Sequence, residues 1–336
     1  MRNYVTRRIL LMIPTLLVVT IVVFLLIRLI PGDVVDMMAM QHVREQSTGM
    51  EDAALDADAI REMLGLDVPL HIQYVRWIGV APQEDGSFGG LLQGDLGTSL
   101  WTKKPVIEKI AARIPRTFEL GFLAFIIAQL VAFPVGIISA VRQNSWADFL
   151  GRSFAIISLA TPAFWLATLI IVFGSVYLKW SPPVQYFRIT ENFGQNIQQF
   201  LIPAILVGTA MSATTMRMLR TTMLEVLRQD YVRTAWSKGL KERIIVIRHA
   251  SRNAMMPVIT IISGQIPIMF GGVVIMEQIF GIPGMGRLFL DSIFRRDYPY
   301  VSALNMIFAG FGLILILLCD LSYAWLDPRI RAKAFK

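Results

Sequence analysis

Residues that could serve catalysis are sparse and scattered in this sequence. The three histidines, His42, His71 and His249, are far apart, and no H-E-x-x-H or G-x-S-x-G motif occurs, so no constellation for hydrolysis is formed. A single cysteine, Cys319, excludes an internal disulfide and a thiolate metal site. The chain also lacks the G-x-x-x-x-G-K-[ST] loop that cradles nucleotide phosphates. We predict no catalytic, metal or cofactor site in this chain.

Ionisable residues inside apolar segments would indicate a proton or ion relay. The acidic ones are few: Glu119, Glu277 and Asp320 each lie near the end of an apolar segment, where the membrane interface can be reached. No strong internal repeat of the kind found in many ion-coupled carriers is present. An ion-coupled secondary transporter is the alternative that these residues leave open.

The composition indicates a membrane protein. The chain has 336 residues, of which 55% are hydrophobic and 17% are charged, and this balance is too apolar for an ordinary soluble domain. Its net charge of +8 would indicate nucleic-acid binding if the basic residues formed one free-standing patch. Their placement follows the positive-inside rule instead, so we predict no nucleic-acid partner.

Six apolar segments are long enough to cross a bilayer, which takes about 20 helical residues. The first could be a cleaved signal peptide, but it exceeds the usual signal core and no small-x-small cleavage site follows closely, so we predict a retained helix. Lys and Arg concentrate on the side of the amino terminus, which favours cytoplasmic termini. The predicted spans are residues 9–30, 118–141, 154–178, 200–218, 258–280 and 301–326.

The polar regions between these spans predict short surface helices. Residues 31–115 carry more acidic than basic side chains in their first third, which suits the outer side of the membrane. This region is either a cap over the spans or a docking platform, and the sequence leaves both open. Residues 280–299 predict a re-entrant or interfacial helix. Further amphipathic helices are predicted at 57–64, 70–78 and 106–114.

Residues 225–257 are the only long polar and basic interruption in the apolar second half. Apolar residues recur at helical spacing on both sides of Gly239, which predicts two short helices joined at a residue that tolerates a left-handed backbone. So many charges exclude a position in hydrocarbon, although anionic lipid head groups could hold the loop. The predicted buried positions are Leu224, Leu227, Tyr231 and Ala235, then Ile244, Ile247, Ser251 and Met255.

A basic two-helix hairpin between the fourth and fifth of six spans resembles the transmembrane subunit of a binding-protein-dependent ABC importer. The family's E-A-A motif, followed by glycine after three residues, is replaced here by Arg233, Thr234 and Ala235 before Gly239. The segments RTAxxKGL and RHAxRNAxxPV are similar to the dipeptide, oligopeptide and nickel branch. Four more segments match that branch in order: GDLGTSL at 94–100, PVGIISAVRQNSWAD at 134–148, PGMGRLFLDSIFRRDYP at 283–299 and DPRIR at 327–331.

The resemblance implies an all-α membrane protein with the six transmembrane helices of the type I ABC importer permease fold. Both termini would be cytoplasmic, and a large extracytoplasmic loop would follow the first helix. The implied regions are the amino terminus and first span at 1–30, the outer loop at 31–115, a five-helix core at 116–326 with a coupling hairpin at 219–257, and a cytoplasmic tail at 327–336.

The resemblance also implies a non-catalytic subunit that forms half of a translocation pathway. Its expected partners are a second homologous permease, two cytoplasmic ATPase subunits that bind ATP and Mg²⁺, an extracytoplasmic solute-binding protein and membrane lipid. The first hairpin helix would seat in a cleft of an ATPase and act as a lever on the attached spans. The expected coupling residues are Asp230, Tyr231, Val232, Arg233, Thr234, Ala235, Ser237, Lys238, Gly239 and Leu240.

The sequence also offers candidates for the residues that line the pathway and for the class of substrate. Proline and glycine are frequent inside the spans, which favours moving helices around a cavity or, alternatively, close packing through small residues. Peptide is the commonest substrate of the branch that the sequence resembles, and nickel or a sugar is the alternative. The candidates to line the pathway are Pro162, Phe164, Trp165, Met211, Gln265 and Met269.

Overall fold

A computed structural model describes residues 2–29, 61, 67–83, 86–183 and 185–326 of the chain. The regular elements in these ranges are helices, apart from an isolated bridge between Thr98 and Pro105. The helix predicted at 57–64 and the motif at 327–331 lie outside the described residues.

The α-helices of the described residues are numbered α1 to α10 in chain order. Helix α8 begins with a regular turn, continues through a π-helical segment, Ile245–Ala250, and is α-helical again over Ser251–Ile279. The helices are α1 Arg2–Leu29, α2 Leu70–Ile78, α3 Val106–Val141, α4 Trp146–Ala160, α5 Ala163–Leu178, α6 Phe193–Leu227, α7 Asp230–Ser237, α8 Glu242–Ile279, α9 Met285–Phe294 and α10 Tyr298–Leu326.

Five of the described helices are long and apolar enough to cross a membrane: α1, α3, α6, α8 and α10. The third predicted span, 154–178, is not one straight helix, because α4 and α5 meet at a 91° bend. Thr161 is extended at φ −100° and ψ 119°, the conformation favoured for a residue that precedes proline. Pro162 is the N-cap of α5. The predicted six crossings therefore require this bent pair to count as one.

The chain divides into two compact units. The first is formed by the described residues within 1–10, 113–287 and 311–336. Its largest apolar core joins α3, α5, α6 and α8 through side chains such as Leu120, Phe200 and Met276. Gly208 on α6 lies where a Cβ would stand 2.8 Å from the Ala124 carbonyl oxygen on α3, so only glycine permits this close approach of the two helices.

The second unit is formed by the described residues within 11–112 and 288–310. The prediction of a helix at 70–78 is confirmed by α2, whose Tyr74 ring lies 5.2 Å from Phe24 on α1. The Tyr74 hydroxyl also shares a 2.9 Å hydrogen bond with Thr20. The predicted helix at 106–114 is confirmed as the first part of α3, which continues unbroken through residue 115 to Val141.

Candidate functional site

The predicted hairpin is present, and Gly239 is its joint. Helix α6 stops at Leu227, Gln229 is extended at ψ 149°, and α7 starts at Asp230. Gly239 has φ +73° and no atom lies within 4 Å of the position its Cβ would take. The glycine is therefore required for its left-handed backbone and not for close packing inside the chain. Lys241 is extended at ψ 138°, and α8 then begins at Glu242.

The buried face of the hairpin agrees with the predicted one at Leu227 and Ala235 but not at Tyr231. Val232 and Ala235 on α7 are buried against Ile245, together with Val226 and Leu227, whereas Tyr231 is 42% exposed. The prediction that Tyr231 is buried was wrong because the break at Arg228 and Gln229 interrupts the helical register between α6 and α7.

The second predicted stripe was wrong at Ile244 and Ile247, whereas Met255 does pack against the core. Ile244 and Ile247 are exposed, and the buried positions are Ile245, Val246, Ala250, Ala254 and Val258. A π-helical segment has a wider turn than an α-helix, so the segment Ile245–Ala250 changes which side chains face inward. Pro257 lies inside α8 and does not begin a new helix.

The outward face of the hairpin combines apolar and cationic side chains. Trp236 is 47% exposed and Leu240 is 36% exposed. The Tyr231 hydroxyl accepts a 2.6 Å hydrogen bond from Asn253 Nδ2 on α8, which ties the two helices together. Arg233 and Asp230 form a solvent-exposed 3.7 Å ion pair of the kind that contributes little to stability. The other exposed candidates are Thr234, Ser237, Lys238 and Gly239.

Six residues were predicted to line a pathway, and the structure places them in two settings. Pro162, Phe164 and Trp165 lie at the α4–α5 bend, where the two aromatic side chains are 52% and 50% exposed. The other three lie deeper in the first unit. Met211 and Met269 are buried in its apolar core, and Gln265 Nε2 donates to the Met211 carbonyl oxygen at 3.4 Å.

The carboxylate of Glu277 is fully buried near the end of α8. It accepts hydrogen bonds from Thr117 Oγ1 at 2.6 Å and from the Arg287 backbone N–H at 2.9 Å. The Thr117 hydroxyl oxygen accepts in turn from the Met285 N–H at 2.8 Å. Glu277 and Thr117 thus bind the first N–H groups of α9, where a negative charge is favourable. These contacts give Glu277 a structural role at the start of α9.

Glu119 is also engaged by neighbouring groups. Its Oε1 atom accepts a 2.7 Å hydrogen bond from Asn196 Nδ2, which also donates to the Phe187 carbonyl oxygen. The Arg116 guanidinium lies 4.4 Å from the centre of the Tyr186 ring. Burial and, to a smaller extent, the nearby Glu119 carboxylate raise the pKa of Tyr186, in the loop before α6. The Asp320 side chain lies outside what the structure describes.

In the second unit, a buried aspartate joins two of the motifs found in the sequence. Asp297 Oδ2 accepts from Ser99 Oγ at 2.6 Å, and Oδ1 accepts from the Leu100 N–H at 3.1 Å. Trp101 Nε1 donates to the Arg295 carbonyl oxygen at 2.9 Å. The segments 94–100 and 283–299 are therefore held together at their ends.

Sequence reasoning missed a buried ion pair. Asp148 follows the N-cap Ser145 in the first turn of α4 and is fully buried. Arg220 on α6 binds both of its carboxylate oxygens, at 2.7 and 2.8 Å. The arginine lies 72 residues away along the chain, so no spacing rule connects the two. The available signal was an aspartate three residues after a serine N-cap, in the polar stretch between two predicted spans.

Across the described ranges, no group of three or more His, Cys, Asp or Glu residues is arranged to hold a metal ion. The first unit is therefore a packed helical scaffold that carries one polar hairpin.

Residues 132–332 match the family described as binding-protein-dependent transport system inner membrane component, and residues 1–121 match the N-terminal family of the same systems. The chain belongs to this family. It is a permease subunit of an ABC importer and a multi-pass membrane protein. The sequence-based resemblance is thereby confirmed, and membership implies ATPase and binding-protein partners.

Curated relatives match this permease over nearly its whole length. It is 38% identical over 333 residues to the oligopeptide transport system permease protein AppB of Bacillus subtilis, covering 98% of this chain and 99% of that protein. It is 37% identical over 333 residues to the glutathione transport system permease protein GsiC of Salmonella typhimurium, covering 99% and 100% respectively.

Two solved structures share the fold of this permease. One belongs to the methionine ABC transporter MetNI in an inward-facing conformation, with a TM-score of 0.54 and 13% identity, covering 66% of this chain and 98% of that one. The other is an amino acid ABC transporter crystallised with histidines, with a TM-score of 0.52 and 15% identity, covering 65% and 94%. At these identities the likeness concerns the fold alone.

Proposed function

We propose that this permease forms half of the translocation pathway of a peptide importer. The observation that carries the proposal is the full-length similarity to an oligopeptide permease at 38% identity and to a glutathione permease at 37%. Both names refer to peptides, so di- or oligopeptides are the substrate class that these relatives support. The other half of the pathway comes from a second, homologous permease subunit.

The proposed arrangement places the chain in the cell inner membrane with six crossings, the bent pair of α4 and α5 counting as one. Both termini, the hairpin at 219–257 and the tail at 327–336 lie on the cytoplasmic side, where Lys and Arg concentrate. The loop at 31–115 then lies outside, and 116–326 forms the core. The extracytoplasmic solute-binding protein docks on that loop and on 280–299.

The energy for transport comes from two cytoplasmic ATPase subunits, which bind the ATP and Mg²⁺. The permease itself is non-catalytic, and it transmits movement through its hairpin. The exposed face of the hairpin supports this role. Tyr231, Trp236 and Leu240 offer apolar area, while Arg233 and Lys238 can pair with acidic groups of a partner. Val232 and Ala235 contribute indirectly, by fixing α7 on α8.

The pathway lies between the two permease subunits. Pro162, Phe164 and Trp165 are proposed to line it, because they are exposed at the bend of the third crossing. Gln265 is proposed to lie behind this surface, and Met211 and Met269 are proposed to support it from the apolar core.

The function is tested by reconstituting the permease with its second permease, ATPase subunits and binding protein in liposomes. We expect uptake of labelled di- to pentapeptides that requires both ATP and the binding protein. Uptake driven by a proton or sodium gradient without ATP would contradict the ABC mechanism for this chain. Uptake of Ni²⁺ or a sugar, with no peptide uptake, would contradict the peptide assignment alone.

A further inference from the structure

A buried ion pair joins the start of α4 to α6, about two helical turns before α6 ends at the hairpin. Arg220 donates from Nε to Asp148 Oδ1 at 2.7 Å and from Nη2 to Asp148 Oδ2 at 2.8 Å. The Asp148 side chain is fully buried, and that of Arg220 is 17% exposed. A two-pronged contact of this kind fixes the angle between the two groups as well as their distance.

The same carboxylate also binds α3 and the turn that follows it. Ser139 Oγ on α3 donates to Oδ1 at 2.5 Å, and the Asn144 backbone N–H donates to Oδ2 at 3.0 Å. Arg152, one turn further along α4, lies 3.4 Å from Oδ1. Asn144 is left-handed at φ +62°. One aspartate therefore holds three helices and the turn between two of them.

Around this pair, the helices touch through small residues. A Cβ on Gly136 of α3 would stand 3.1 Å from Leu219 Cδ2, and one on Gly151 of α4 would stand 3.2 Å from Met216 Cε. Ala132, Ala155 and Ala213 are buried in the same cluster. Small side chains allow close approach but form few directional contacts, so the ion pair is the feature that fixes the position of α4 along α6.

We propose that the Asp148–Arg220 pair makes α4 and the adjoining end of α3 move with α6 when the hairpin is displaced. Helix α4 leads directly into the 91° bend that carries Phe164 and Trp165. The pair thereby passes the displacement of the hairpin to the pathway-lining residues. This inference rests on the proposed coupling role of the hairpin. Asp148 and Arg220 are positioning residues, because they act through the helices that they join.

The first test replaces the pair by apolar residues, as Asp148→Leu with Arg220→Met, in the complete complex in liposomes. Exchange of a buried ion pair for apolar side chains is often neutral for stability, whereas removal of one partner strands a buried charge. We expect normal co-purification of the ATPase subunits and continued ATP hydrolysis. The peptide transported per ATP hydrolysed should fall by about tenfold, within the usual range of coupling between sites.

Arg220→Lys is the conservative variant. It should give an intermediate amount of peptide transported per ATP hydrolysed, because it keeps the charge but loses the bidentate contact. An unchanged ratio in the double apolar variant would overturn the proposal, since the pair would then be structural only. Trp236→Ala tests the proposed hairpin role separately. If that variant keeps full ATPase association, the proposed function of the hairpin fails, whatever the ratio in the Asp148 variants.

A second measurement does not depend on altering the pair. In a Cys319→Ser background, spin labels are attached at the exposed positions Phe149 on α4 and Arg217 on α6. Pulsed EPR then measures the distance between the labels with and without ATP in the assembled complex. A constant distance is expected while the transporter changes state, and a broadened, ATP-sensitive distance is expected in the double apolar variant. If the distance between the two labels changes with ATP in the complex that retains Asp148 and Arg220, the inference is overturned.

Discussion

Gly284 lies directly against Glu277, so that a Cβ at position 284 would overlap the buried carboxylate. The contact closes the turn between α8 and α9. Arg113 and Arg116 support this turn from α3 by donating to the carbonyl oxygens of Gly284 and Pro283, at 3.2 and 3.1 Å. The absence of a side chain at 284 is therefore a packing requirement, and no positive φ is involved.

Gly284→Ala is predicted to destabilise the permease, because the methyl group must displace Glu277 from Thr117 and from the first turn of α9. Overpacking of a buried site costs about 1–3 kcal/mol. The measurement is the midpoint of thermal unfolding of the purified permease in detergent. Gly271→Ala on α8 is the matched control, since no atom lies within 4 Å of its Cβ position, and it should leave the midpoint unchanged or higher.

Trp236→Ala is predicted to weaken binding of the ATPase subunits without disturbing the permease. Its side chain is 47% exposed on α7, and exposed tryptophans at the centre of an interface often contribute 2 kcal/mol or more, about thirtyfold in affinity. ATPase retained during affinity purification of the permease is the readout. Trp146→Ala on α4, where the ring is 80% exposed, is the control and should retain normal amounts. Equal loss in both variants would contradict a specific role for α7.

Ala235→Glu is predicted to disrupt the packing of α7 on α8, which a substitution on the exposed face of α7 would not do. Ala235 packs against Ile245 inside the hairpin, so a glutamate there must either bury its charge or separate α7 from α8. We expect membrane insertion to persist while α7 becomes susceptible to proteolysis and transport is lost. Arg233→Glu, on the exposed face, should leave the protease pattern unchanged. If α7 of Ala235→Glu resists proteolysis as well as α7 of the unmodified chain, Ala235 does not pack against Ile245 as described.

Gly239→Ala is predicted to strain the joint, because an L-residue with a side chain is disfavoured at φ +73°. The cost is about 1 kcal/mol in a left-handed conformation, and Gly239→Asn should cost less. Since no packing contact is altered, the expected effect is a reduced coupling of ATP hydrolysis to peptide uptake and not a loss of assembly. Gly264→Ala, in open space on α8, is the control for the loss of a glycine.

Sequence reasoning was most successful where the signal is local. The helix at 70–78 follows from its own apolar spacing, and Gly239 was predicted as a joint because glycine is the usual residue at a left-handed position. Both features need only neighbouring residues. They were therefore available before any tertiary contact was known.

The sequence could not predict features that depend on distant partners or on a change of helical register. Nothing near Asp148 indicates that Arg220 binds it. Within the π-helical segment Ile245–Ala250 the exposed Ile247 was predicted to be buried, because an assumed spacing of 3.6 residues fails there. The bend at Pro162 was visible as a proline, but proline alone does not distinguish a kink from a 91° turn.

Met269 and Trp165 were both predicted to line the pathway, but Met269 is buried and Trp165 is half exposed, so different effects are predicted for their substitution. Met269→Ala removes a side chain that is 7% exposed and packs at Gly121, so it should lower stability by about 2–5 kcal/mol. Trp165→Ala removes a ring that is 50% exposed, so stability should hold while the peptide concentration for half-maximal transport, or the preferred peptide length, changes. Thermal unfolding and uptake of a graded peptide series measure the two effects. A destabilised Trp165→Ala with unchanged peptide preference would place that ring in packing and remove it from the pathway.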